Sequence, residues 1–151
     1  MRYRKAVFIV TYAKTKKGVE YLILKRKLHW TGWEFPKGAM NFLEKKKGAI
    51  KRELKEETGL VPLKGSIKKF NYSGKYEYSK IHDDRPQYKG QTFTLYSVEV
   101  KKPAKGKIKI DELEHSNFKW IDYKAARRML TWPNQKESLK IVNDWLKGSA
   151  K

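Results

Sequence analysis

Cysteine is absent from the 151-residue sequence, so no disulfide framework braces the fold, and any bound metal must take oxygen or imidazole ligands, which favours hard cations such as magnesium. Long apolar runs are missing too. None approaches the roughly 20 residues needed to span a bilayer, and the opening MRYRKAVFIVTYAKTKKG turns charged again too soon for a signal peptide. The expectation is a cytoplasmic protein with no membrane partner. Acids are scarce: 16 Asp and Glu stand against 36 Lys and Arg, a formal charge of +20. Lys-rich proteins of hot environments usually carry similar amounts of Glu. The imbalance here points instead to phosphate-rich polyanions drawn in by a long-range field.

What is present reads as globular. Aromatics make up 13% of the chain and include five Trp, the large side chains that disordered segments lack. The length fits one domain over residues 1–151. Apolar alternation over Lys5 to Ala13 and Val19 to Arg26, around the turn-like KTKKG, predicts an opening β-hairpin. LHWTGWEFPKG predicts a loop with a short strand at Trp33 to Phe35. A helix is expected from Glu44 to Thr58, ended by Gly59. Strands follow at Ile67 to Tyr78 and Gln91 to Lys101, separated by the polar loop SKIHDDRPQYKG. KKPAKGKIKIDELEH reads as an exposed connection, then come a strand at Phe118 to Ile121, a helix at Tyr123 to Leu130 broken by Pro133, and a closing helix at Gln135 to Leu146. The order β-β-β-α-β-β-β-α-α implies an α+β (α/β) fold, a mixed β-sheet sandwiched between α-helices.

In the first helix Glu53, Glu56 and Glu57 stand at offsets of three and four and share one strip. Like charges this close repel, and a divalent cation bridging phosphates would neutralise them. The competing reading is a solvated face screened by Lys51 and Lys55. The surrounding residues favour the metal. GAMNFLEKKKGAIKRELKEETGL resembles the Nudix box (Gly, five residues, Glu, seven residues, Arg-Glu-apolar-x-Glu-Glu-x-Gly-apolar) at every defined position, through Gly38, Glu44, Arg52, Glu53, Leu54, Glu56, Glu57, Gly59 and Leu60.

That resemblance implies the Nudix fold and a magnesium-dependent hydrolase, with manganese as a substitute, that uses water to cut a phosphoanhydride. It also implies metal ligands at Glu53, Glu56, Glu57 and the Gly38 carbonyl, with Glu57 and Glu53 foremost. Arg52 is expected to orient a carboxylate, Glu44 to support the loop and Gly59 to cap the helix. ELEHSNFKWI resembles the Glu-His-x-x-aromatic-basic-Trp segment of asymmetric diadenosine tetraphosphate hydrolases, which makes Glu114 the candidate loop acid for catalysis and metal binding, with Glu112 behind it.

LILKRKLHWTGWEFPKGAMN and EHSNFKW together resemble the branch containing those hydrolases and the RNA pyrophosphohydrolases, although Leu43 and Asn41 stand where Gly and an acid are common. The implied substrate is a dinucleoside polyphosphate such as diadenosine tetraphosphate. The alternatives are an RNA 5′ end or a small house-cleaning nucleoside triphosphate; no DNA partner is expected. A non-catalytic nucleotide- or RNA-binding module is the remote alternative, because such modules usually lose box acids that are retained here. Phosphate-binding cations are sought at Lys37 and among Lys25, Arg26 and Lys27, of which strand alternation lets only some reach one cleft. Exposed strand lysines are the competing reading. His29 is placed to touch phosphate, and Tyr76, Tyr78 and Tyr88 are candidates to stack on a base, against the alternative that they merely pack in strands.

Overall fold

The two opening apolar segments form strands β1 (Arg2–Thr15) and β2 (Gly18–Arg26) of an antiparallel hairpin whose turn ends at Gly18, at a φ of 110° that favours glycine. The computed structural model describes residues 2–149. After the hairpin come β3 (Gly32–Glu34), β4 (Lys37–Ala39), α1 (Lys46–Thr58), β5 (Lys68–Glu77), β6 (Tyr88–Glu99), β7 (His115–Ile121), α2 (Tyr123–Met129) and α3 (Pro133–Ser149). The seven strands make one sheet of order β3-β2-β1-β6-β5, with β4 added to β1 and β7 to β2. β1 runs parallel to β6 and all other pairings are antiparallel, which makes the sheet mixed.

β1 explains why helices lie on both faces. Residues Ala6 to Ala13 are all buried, so alternate side chains must enter two separate cores. Phe8, Val10 and Tyr12 pack with Leu139 and Val142 of α3 and Ala126 of α2, whereas Val7 and Ile9 pack with Ile50 and Leu54 of α1. The sheet path ends at β5, which carries Lys68, Lys69 and Lys75, pairs with β6 alone and loses register between Lys69 and Ser73. Among the described residues no helix is long and apolar enough to cross a membrane.

Three expectations are corrected. Strand β4 was not foreseen: its three residues, two of them Gly and Ala, hold strand geometry through pairing of Gly38 with Val7 and of Lys37 with Phe8, not through their own propensity. α1 begins at Lys46 and not at Glu44, because the Glu44 carboxylate accepts the Asn41 N–H (2.9 Å) and closes the preceding loop. Pro133 does not merely separate two helices. It opens α3, since its missing N–H costs nothing in a first helical turn. Elsewhere α1 stops as expected at Gly59 (φ 75°), whose N–H bonds to the Lys55 carbonyl, and the 101–114 connection holds only one short 3-10 turn at Ala104–Gly106. The core account predicts that Leu54→Ala, at a fully buried position, costs about 2–5 kcal/mol in urea unfolding; a loss below about 1 kcal/mol would show a face that relaxes freely.

Candidate active site

α1 delivers its acids beneath β4. Glu57 is buried, and its Oε2 accepts the Lys37 N–H at 3.0 Å. Glu53 comes so close to Gly38 that a Cβ there would run into the Glu53 carboxyl group, so only glycine permits this crossing. Arg52 gathers the strip. It donates to both oxygens of Glu44 at 2.8 Å, to Glu53 Oε1 at 2.8 Å, to the exposed Glu56 at 3.3 Å and to the Ala39 carbonyl at 2.9 Å. These bonds hold the Glu44 carboxyl down at about 2. Gly59 caps the C-terminal end of α1 just beyond Glu57, through its N–H on the Lys55 carbonyl.

The loop before β7 brings Glu114 to the same place. Its carbonyl accepts the N–H groups of Lys27 (2.9 Å) and Leu28 (3.3 Å), and ligand atoms of Glu57, Glu114 and His115 lie within 4.8 Å of one another. Burial, then Glu34, Glu114 and Glu53, push the Glu57 carboxyl well above the usual range. Burial likewise raises Glu53 to about 6, against the pull of Arg52. An oxygen-rich donor set whose charge is this poorly compensated fits a hard divalent cation.

Beside the acids lies a buried charge cluster that no sequence pattern announced. Glu34, with no exposed surface, has Oε1 at 3.2 Å from Lys37 Nζ and Oε2 at 3.2 Å from Arg26 Nη1 and 2.8 Å from His115 Nε2. Burial alone would raise its carboxyl, but Lys37, the His115 bond and Arg26 outweigh that and hold it at about 2. The only available signal was hairpin register: Leu24 opposes Glu34 and Arg26 opposes Gly32, which puts Arg26 and Glu34 on one face.

Acids and cations line a cavity of about 730 Å³ that also includes His29, Tyr76 and Tyr78. Lys25, Lys27 and Tyr88 are not among its lining residues. Lys25 opposes Trp33 on the other face of β2, Lys27 is exposed beyond the strand end, and Tyr88 lies under the Arg2 guanidinium at 5.9 Å. At the mouth three rings stack in series: His29 on His82 at 3.8 Å and 10°, then His82 on Tyr78 at 4.0 Å and 20°. Asp84 (3.0 Å from His29 Nε2) and Arg85, which donates to His82 Nδ1 at 3.1 Å, fasten the 79–87 loop over this stack. Tyr76 and Tyr78 share Gln91 through their hydroxyls (2.9 and 3.1 Å), and Trp30 meets Trp132 edge to face at 5.3 Å elsewhere along the lining. His29, His82 and His115 are scattered in the sequence, yet the fold brings His82 onto His29; Arg85, Gln91 and both tryptophans carry no sequence signal, because only closure of distant loops makes them neighbours.

Comparison with known proteins bears on the family and the fold. The NUDIX domain family matches residues 2–142. An RNA pyrophosphohydrolase of a Nitratiruptor species is 34% identical over 133 residues, 87% of this chain and 85% of that protein. Among solved structures, an Ap4A hydrolase binary complex from C. elegans superposes with a TM-score of 0.73 at 22% identity, covering 96% of this chain and 98% of that one. The E. coli dihydroneopterin triphosphate pyrophosphohydrolase gives 0.69 at 19%, covering 93% and 96%. These two likenesses bear on the fold alone.

Because Glu53 and Glu57 hold protons above the ordinary carboxylate value of 4.5, the metal-free fold binds more protons than the unfolded chain and should lose stability as pH rises from about 4.5 through about 6. Magnesium or manganese should reverse this, raising Tm and releasing protons when titrated near pH 6–7, as read by calorimetry in buffers of different ionisation enthalpy. Glu57→Gln should weaken the cation and shrink the proton release. An unchanged Tm with no protons released would sink the cation site.

Proposed function

The chain belongs to the Nudix family and is a hydrolase of phosphoanhydrides, and on that premise we propose that it cleaves a dinucleoside polyphosphate, diadenosine tetraphosphate foremost. The observation that carries this reading is the ring stack at the mouth. His29 and Tyr78 stand one aromatic ring apart, with the His82 imidazole between them, in the geometry in which a base would be held. The polyphosphate then runs inward past Arg26 and Lys37 to the glutamates.

We assign Glu53, Glu56, Glu57, Glu114 and the Gly38 carbonyl as the residues that would hold magnesium, with manganese as a substitute. When bound, the cation supplies charge neutralisation and polarisation of the phosphoanhydride. The chain's own groups do the rest. Lys37 and Arg26 bind phosphate oxygens, Arg52 keeps Glu53 and Glu56 aimed, and Glu114 receives the proton of the attacking water at a carboxylate oxygen. His29 and Tyr78 hold the base, Tyr76 keeps Tyr78 in place through Gln91, and walls of tryptophan and tyrosine exclude bulk water.

A second reading, removal of phosphates from an RNA 5′ end, draws on the RNA pyrophosphohydrolase of Nitratiruptor and on the +20 charge. Salt separates the two, since RNA on a wider basic surface releases more counterions. The specificity constant for diadenosine tetraphosphate should exceed that for triphosphorylated RNA at moderate salt and fall less steeply as salt rises. Neutralising Lys101, Lys105 and Lys107, which are absent from the cavity lining, should leave the dinucleotide rate unchanged. His82→Ala, by emptying the base slot, should lower KM for the dinucleotide severalfold. RNA preference with a steep salt slope, abolished in the Lys variant, would give the second reading precedence; a raised KM in His82→Ala would remove the base from the slot.

A further inference from the structure

Glu34 is charged, wholly enclosed and untouched by the chemistry assigned above, yet its neighbours are the two cations that reach the polyphosphate. Its oxygens divide their partners. Oε1 makes no hydrogen bond and has only the Lys37 ammonium beside it, an ion pair at 3.2 Å, while Oε2 serves Arg26 Nη1 and His115 Nε2. The side chain of Glu34 has no exposed surface, whereas Lys37 keeps 14% and Arg26 5%. A phosphate can therefore meet the cations but not the carboxylate that sits behind them.

We propose that Glu34 is a positioning residue for hydrolysis: it aims the Lys37 ammonium and the Arg26 guanidinium at the substrate's phosphates and keeps Lys37 from collapsing onto the neighbouring glutamates. Two further contacts support a fixed aim. Arg26 Nε is tied to the Leu28 carbonyl at 2.8 Å, so Nη1 on Glu34 completes a two-point hold on the guanidinium plane. The Lys37 backbone N–H is already bonded to Glu57, which leaves its side chain as the only part free to swing. Without the Glu34 charge, the two buried cations would repel each other, and compensation would be left to Glu57, which already accepts the Lys37 backbone N–H and lies in the field of Arg26. Lys37 would then compete with a divalent cation for the acids and be lost to the phosphates. Through His115, Glu34 also steadies the start of β7, where Glu114 is placed.

The inference rests on Lys37 and Arg26 binding phosphate, but not on the identity of the nucleotide. Its test is a double-mutant cycle of Glu34→Gln and Lys37→Met, read as calorimetric affinity for inorganic tripolyphosphate with magnesium present, a probe that carries no base. Glu34→Gln should weaken tripolyphosphate about tenfold or more in the wild-type background and less than about threefold where Lys37 is already Met. Glu34→Asp, which keeps the charge, should recover part of the loss. Thermal unfolding monitors the fold; should Glu34→Gln fail to fold, Glu34→Asp is carried through the same cycle with the same non-additivity expected. Equal losses in both backgrounds, or Glu34→Asp as damaging as Glu34→Gln, would overturn the proposal. If Lys37→Met alone leaves tripolyphosphate binding unchanged, the error lies in assigning that lysine to phosphate.

Discussion

Carboxylates forced together in a dry place govern this molecule. Glu57 has almost no contact with solvent, Glu53 and Glu114 adjoin it, and Glu34 adds a further negative charge to the same field. In water such groups would separate; on α1 and its flanking loops they cannot. The surroundings divide them instead. Glu34 is compensated by two fixed cations and a histidine and is held at about 2, whereas burial raises Glu53 to about 6 against the pull of Arg52 and pushes Glu57 well above the usual carboxylate range. Arg52 marks the border between these regimes, directing most of its donors to Glu44 and the loop and only one nitrogen to Glu53 and Glu56.

The fold is arranged to keep that crowd in place. Because β1 is buried on both faces, α1 is pinned through Ile50 and Leu54 while its acidic strip points along the sheet toward β4. β4 can lie against that strip only because Gly38 has no side chain, and its own pairing with β1 fixes the Lys37 N–H on Glu57. The Phe35 N–H is held by Gln135 of α3 at 2.7 Å, so the segment joining β3 to β4 is anchored from the opposite helical layer as well. The second core thus restrains the geometry of acids that belong to the first.

Features carried by local periodicity were legible in the sequence. The opening hairpin, the acidic strip and the Gly59 stop all follow from spacing that repeats within a few residues, the Nudix pattern pointed to Gly38 and Arg52, and the separate ELEHSNFKWI segment pointed to Glu114. What escaped depends on partners far away in the chain. β4 is a strand because β1 makes it one. Glu34 looked like an ordinary residue of a short strand, and only the convergence of Arg26, Lys37 and His115 gives its charge a reason to be buried. Lys25 and Lys27, neighbours of Arg26 in the sequence, are separated from it by the pleat and by the end of β2. The His29–His82–Tyr78 stack could not be foreseen, since it joins a turn residue at φ 72° to a polar loop that no pattern constrains.

The outer strand β5 has a consequence of a different kind. A long, flat strand at the end of a sheet offers unpaired amides and carbonyls to any similar strand that drifts by, and such contacts seed fibrils. β5 spans Lys68–Glu77 but breaks register partway, and the lysines along it would oppose their counterparts on a second molecule. Two copies meeting there would confront both a kink and a row of like charge. The cationic excess therefore also works against neighbouring molecules zipping together at their margins.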